Sequence, residues 1–218
     1  MDLYVTTSRG KDLKFPNKEV IFGGHMSDLV ETTLNHKLIK NIPYNNSGPN
    51  FVYIIGGIPD ATDMLRDPGY EEVIFYDTRK KTDLLNSRIR EANNAILEAG
   101  AIPVFSTITT MNLKDWNYTR YFKNITSYHI HSPYYDDMQH FLNITLGSVN
   151  ENIFATNNSN NVETPHLAGY IRSKRGDGQG FRYRYSRLYD GCHPGLEVVK
   201  KWQSALLRIA IINRSRHS

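Results

Sequence analysis

Phe51-Val52-Tyr53-Ile54-Ile55-Gly56-Gly57 is an almost wholly apolar run that stops on two glycines. A strand with one wet face alternates apolar and polar residues, so an unbroken run predicts a strand covered on both faces. Upstream, Leu3-Tyr4-Val5 and Val20-Ile21-Phe22 are shorter β-rich runs, the first ending in Thr7-Ser8-Arg9-Gly10 and the second in Gly23-Gly24. Between Ser27 and Leu38, apolar positions at Leu29, Val30, Leu34 and Leu38 fit a helical period, with Ser27 or Asp28 as the cap. Downstream, Val73–Tyr76 reads as a short strand or an insertion. Residues 82–99 form a helix with Leu84, Leu85, Ile89, Ala92 and Ile96 on one face and Gly100 as its stop. Ile102–Ile108 is strand-like, and Tyr134–Thr156 carries Met138, Phe141, Leu142, Leu146, Val149 and Ile153 at helical spacing, ended by the Asn157–Asn161 stretch. Leu196, Val199, Trp202, Leu206, Ile209 and Ala210 mark a last amphipathic helix. Apolar strands alternating with helices predict a parallel sheet in an α/β sandwich.

The 218 residues carry no internal repeat and no linker long enough to divide them, so one domain spanning 1–218 is expected, with a single well-buried core. Met1-Asp-Leu-Tyr-Val5 has neither a basic segment nor a long apolar one, and no apolar run reaches the roughly 20 residues of a membrane span. The expected setting is intracellular, without a membrane span. Cys192 is the sole cysteine, which excludes an internal disulfide and a multi-cysteine zinc site. Lying between Asp190 and His193, it reads as a packed small residue rather than a nucleophile.

In open α/β sheets, ligands gather outside the carboxyl ends of the strands. The loops that such a sheet would deliver there are Thr7-Ser8-Arg9-Gly10, Gly23-Gly24-His25 and Gly56-Gly57-Ile58-Pro59-Asp60. The loop before the last helix is Asp190-Gly191-Cys192-His193-Pro194. An aspartate three residues before a histidine can orient an imidazole that takes a proton from a serine elsewhere in the chain.

This arrangement resembles the SGNH (GDSL-like) hydrolase family of esterases and lipases. The resemblance implies a flavodoxin-like, three-layer α/β/α sandwich with a mainly parallel sheet, spanning nearly the whole chain in element order. It implies Ser8 as nucleophile and Asp190 with His193 as the rest of a catalytic triad. Gly23 or Gly24, with Gly24 favoured, falls at the block that lends an N–H to the oxyanion hole, and Gly57 opens the third block. The implied substrate is a small ester or acylated molecule, and no cofactor is needed. Ile54-Ile-Gly-Gly-Ile-Pro-Asp-Ala-Thr62, Thr164-Pro165 and Asp190-Gly-Cys-His-Pro194 together are similar to divergent SGNH-like proteins of DNA viruses and mobile elements. Two departures stand out. Pro59 occupies the place of the family's asparagine and has no donor to offer an oxyanion. Thr6-Thr7 replaces the Gly-Asp before the serine. Loss of one oxyanion donor typically lowers turnover about 10²–10³-fold.

A rival from another class is a non-catalytic module for nucleic acid or another anionic partner. The net charge is only +4, but residues 172–187 hold six Lys/Arg against one acid, Asp177. There Arg182 and Arg184 alternate with Phe181, Tyr183 and Tyr185, and Arg187 follows. An extended chain would show a basic face for phosphates and an aromatic one for bases. The bland reading is a solvated loop anchored by its aromatics. For Asp190 and His193 it is a cap on the last helix. His129-x-His131 near Asp136 and Asp137 lacks a defined third-ligand spacing, so no metal is expected. The sequons at Asn45, Asn117, Asn124, Asn143, Asn157 and Asn213 read as chance products of an Asn/Ser/Thr-rich chain.

Overall fold

The computed structural model describes residues 49–57, 78–113, 115, 135–174, 181–189 and 191–218. They form a mixed α/β structure. β1 (Asn50–Ile54) pairs in parallel with β2 (Ala101–Phe105), Asn50 opposite Ala101 and Ile54 opposite Phe105. α1 (Thr78–Glu98) precedes β2 and turns into it through Gly100, whose φ of 79° lies in the left-handed region that glycine enters without strain. α2 (Tyr135–Ser159) is followed by a 3₁₀ turn, Leu167–Ile171, and an antiparallel hairpin of β3 (Arg172–Lys174) with β4 (Phe181–Tyr183). A second 3₁₀ turn, Tyr185–Arg187, leads towards α3 (Leu196–Arg216).

The main core lies where α1 and α2 meet β2. Leu85, Ile89, Ala92 and Ile96 of α1 face Leu142, Leu146, Val149 and Ile153 of α2, with Ile54, Ala101 and Phe105 from the strands beneath. Burying each such side chain contributes about 1.5–3 kcal/mol before ordering costs are subtracted. Val52 joins Ile54 in this cluster, whereas Phe51 makes an edge contact with His217 and Tyr53 bonds Asn213 at the end of α3. Because a strand's side chains alternate between faces, β1 meets the α1/α2 core with its even residues and the end of α3 with its odd ones. Burial raises the Tyr53 phenol above its ordinary pKa, with the Asn213 hydrogen bond opposing the rise.

Several expectations are corrected in detail. β1 is half-buried from Asn50 to Tyr53 and only Ile54 is buried, so it is less covered than its apolar sequence predicts. Leu84 and Leu196, assigned to helix core faces, are 51% and 70% exposed. α2 ends at Ser159, within the Asn157–Asn161 stretch expected to stop it, with Asn157–Ser159 still helical. Asn161 follows in the left-handed conformation (φ 56°) that asparagine tolerates better than most side chains. β2 ends at Phe105, three residues before the strand-like sequence does. The readings on Leu3–Val5, Val20–Phe22, 27–38 and Val73–Tyr76 lie outside the described residues. No described helix is long and apolar enough to cross a membrane.

Candidate functional site

Beyond the last paired residues of both strands, the chain is shaped by glycine and by side-chain amides. At the exit of β1, Gly57 is buried with φ 95°, a conformation that costs an L-residue about 1–2 kcal/mol. At the exit of β2, Ser106 donates its N–H to Ile54 O at 2.9 Å, the last bond between the two strands. Residues 106–111 and 113 then continue buried, with no strand partner among the described residues.

A buried backbone must have its polar groups paired, and here α2 supplies the partners. Asn157 accepts the Phe105 N–H on Oδ1 at 3.0 Å and donates Nδ2 to Phe105 O at 2.7 Å. One heptad earlier, Asn150 does the same for Ile108, at 2.7 and 2.9 Å. Gln139 accepts from Leu113 N at 3.0 Å and donates to Met111 O at 2.9 Å. Between them, Asn143 accepts from Gln139 Nε2 and from the Thr110 hydroxyl, and donates to the Tyr185 hydroxyl at 3.2 Å. This ladder is absent from the sequence-based expectations. Its signal was available as amides at 143, 150 and 157, one heptad apart on one helix face.

The His193 loop is docked onto the far end of this segment. A β-bridge between Leu188 and Pro194 closes its base. Within it, Tyr189 N–H bonds His193 O at 2.6 Å, and Gly195 N–H bonds Arg187 O at 2.8 Å. Gly191 takes φ 82° and its carbonyl accepts the Asn112 N–H at 2.6 Å, while Cys192 is buried in the main core. The thiol side therefore serves packing. His193 itself is exposed. The N-cap of α3 is Gly195, with no side-chain capping bond, so His193 is not the capping residue.

The basic-aromatic segment is tied inward more than its alternation predicts. β4 covers only Phe181–Tyr183, and the chain then coils at Tyr185–Arg187, so the extended two-faced ribbon does not continue. Arg172 lies over the Tyr183 ring at 5.2 Å and donates to its hydroxyl at 3.0 Å. Tyr183 stacks on Tyr185, with centroids 6.0 Å apart. Burial raises the Tyr185 phenol above its ordinary range, against the Asn143 bond. Arg187 donates to Tyr170 O. Arg184 donates its backbone N–H to Ile171 O at 2.7 Å and leaves its side chain exposed. Arg182 pairs with Ser173 in the hairpin register, but its side chain lies outside the described residues.

His166 is a second imidazole of note. Its Nδ1 sits 3.3 Å from Thr107 Oγ1, which accepts the Ala168 N–H at 2.9 Å, so the hydroxyl proton is free to point at the ring. The ring leans on Phe154, with centroids 5.3 Å apart. Partial desolvation of this otherwise exposed ring, and secondarily the Arg172 charge, hold its pKa below the ordinary histidine range.

Of the remaining candidates, Ser8, Gly23, Gly24 and Asp190 lie outside the described residues, as do His25, Pro59, Asp60, Thr62, His129 and His131. The structure thus brings the His193 loop onto Asn112, in the segment that continues β2, and sets Gly57 at the exit of the neighbouring β1. Among the described residues, no group of three or more His, Cys, Asp or Glu is arranged to hold a metal ion. Comparison with protein-family models, curated proteins and solved structures finds no match to this chain.

Proposed function

We propose that this chain is a serine-dependent ester hydrolase built as a single SGNH-like, three-layer α/β/α domain. The observation that carries the reading is the anchoring of the His193 loop. The Asn112 N–H···Gly191 O bond and the buried Cys192 fasten that loop to the chain leaving β2, while the His193 side chain stays exposed. An exposed imidazole on a rigidly held backbone, beyond the carboxyl end of a parallel strand pair, is what a general base requires.

In this mechanism Ser8 Oγ attacks the ester carbonyl as His193 takes its proton, and Asp190 orients the ring. The N–H groups of Ser8 and Gly24 hold the oxyanion, and Gly57 supports the turn beside it. The departing alcohol receives the proton from His193. Water, deprotonated by the same imidazole, then releases the acid and restores Ser8. Pro59 removes one oxyanion donor, so the reading favours a slow enzyme on an activated acetyl or acyl ester.

Labelling with a fluorophosphonate probe tests it, comparing the parent chain with Ser8→Ala and His193→Ala. Labelling abolished in both variants is the expected result. A folded parent chain that takes no label overturns the reading.

A second reading, a non-catalytic module for an anionic partner, is favoured by the exposed Arg184 beside the Tyr183–Tyr185 stack and by Pro59. Reversing charge at Arg182 and Arg184 while measuring retention on heparin across a salt series discriminates the two.

A further inference from the structure

α3 and the 3₁₀ turn before β3 enclose an open-mouthed groove of about 370 Å³, lined by Tyr170, Lys200, Lys201, Ser204 and Arg208, with Glu197 at one end. The spacing comes from the helix. Lys200, Ser204 and Arg208 recur every four residues and so share one face, with Lys201 beside them. Lys200 is engaged by Glu197 at 3.0 Å, and both are exposed. Lys201 and Arg208 carry no ion pair among the described residues. On the opposite side stands Tyr170, whose backbone is held by Arg187, a residue outside the groove lining, through its carbonyl. Cations and one tyrosine thus occur together on a shallow concavity open to solvent.

We propose that this groove binds the phosphate of a nucleotide, with Lys201 and Arg208 on the phosphate oxygens and Tyr170 against the base. Two features favour this over an acidic peptide. A carboxylate chain has no use for the aromatic ring, and planar bases stack on tyrosine whatever their sequence. The site is separate from the His193 loop and from Arg182 and Arg184, so it stands or falls independently of both earlier readings. A free nucleotide and one within a single strand present the same phosphate and base to the groove.

The test is fluorescence anisotropy of a labelled single-stranded oligothymidylate with the full chain over a salt series. Variants are Lys201→Glu with Arg208→Glu, Tyr170→Leu, and Arg90→Glu as an exposed basic control on α1. The double reversal is expected to weaken binding by at least about tenfold and to lower the salt slope by about 0.7–1.4, according to whether the two cations share one phosphate of the single strand or hold one each. Tyr170→Leu should weaken binding with the slope unchanged, and Arg90→Glu should change neither. Competition by a free mononucleotide assigns the site to free nucleotide, and its failure against a bound oligonucleotide assigns it to a strand. Polyglutamate competing as well as the oligonucleotide, or a double reversal no stronger than Arg90→Glu, overturns the proposal. A loss confined to Arg182→Glu/Arg184→Glu also overturns it and moves binding to the hairpin.

Discussion

The side-chain amide of Asn157 closes both hydrogen bonds of the Phe105 backbone, accepting its N–H at 3.0 Å and donating to its carbonyl at 2.7 Å. Asn150 repeats the arrangement on Ile108. The match is geometric. Seven helical residues advance about 10.5 Å, and three extended residues advance about 10 Å. An antiparallel helix can therefore meet every third residue of an extended chain with amides one heptad apart. A carboxamide is the side chain for this task, because it carries donor and acceptor side by side as a neighbouring strand would.

Replacing Asn157 with Leu leaves a buried N–H and a buried C=O unpaired at the end of β2. Each costs about 1–3 kcal/mol, so a loss of roughly 2–6 kcal/mol is expected in urea unfolding. Asn157→Asp is the sharper test. A carboxylate in this fully buried position faces the Phe105 carbonyl, so its folded pKa is raised. Its protonated form retains the donor. Stability relative to the parent is therefore fullest below the carboxyl's unfolded pKa and is lost as pH rises through the folded one. A difference that is flat with pH would contradict the bidentate assignment.

Three sequons are spent on this kind of bonding. Asn157 and Asn213 are wholly buried, and Asn143 is half-buried with bonds to Tyr185, Gln139 and Thr110. Glycans there are incompatible with the fold. Expression through a secretory route should give folded protein whose peptides around Asn143, Asn157 and Asn213 are unmodified by mass spectrometry. Thr145, the hydroxyl residue of the Asn143 sequon, is 1% exposed, and its Oγ1 has no hydrogen-bond partner among the described residues. Thr145→Val, which removes that hydroxyl, should raise stability by about 1 kcal/mol.

The helices were legible because their apolar periodicity is strong. Phe141, Leu142, Leu146, Val149 and Ile153 are all buried as spacing predicts. Leu84 was misplaced because it neighbours Leu85, and adjacent helical residues point about 100° apart, so only one of them can centre on the core. Leu196 was misplaced because it is the first residue of α3, ahead of the buried Val198. The end of β2 was not legible because apolar sequence continues to Ile108, while the partner that replaces a neighbouring strand is a set of polar residues on a distant helix. Polar residues on a helix ordinarily read as its solvated side. At the candidate site, the glycine turns and the packed Cys192 were legible from residue type alone. The inward use of Arg187 and Tyr185 was not, since alternation says nothing about where a strand stops.

His166 should titrate below the ordinary histidine range, with partial desolvation the larger cause and Arg172 the smaller. A depressed folded pKa means that the unfolded chain binds this proton more readily. The stability His166 contributes is thus present above its unfolded pKa of about 6.5 and lost as pH falls through the folded value. His166→Gln should flatten that part of the stability–pH profile, and a ring titration followed by NMR should fall under 6.5. A profile that steepens on the alkaline side would reverse the sign and refute the assignment.

Gly191 links fold stability to the candidate site. Its φ of 82° disfavours any L-residue, and its carbonyl holds the Asn112 N–H. Gly191→Ala should cost about 1–2 kcal/mol through the left-handed backbone alone, with the damage local because Cys192 stays in the core. Hydrogen exchange at the Asn112 amide should accelerate, while the amides of Phe105 and Ile108, held from α2, keep their protection. Under the hydrolase reading, fluorophosphonate labelling should slow in the same variant, since a loosened loop no longer fixes His193 against its nucleophile. Faster exchange with unchanged labelling would separate the two roles and leave Gly191 a purely structural turn.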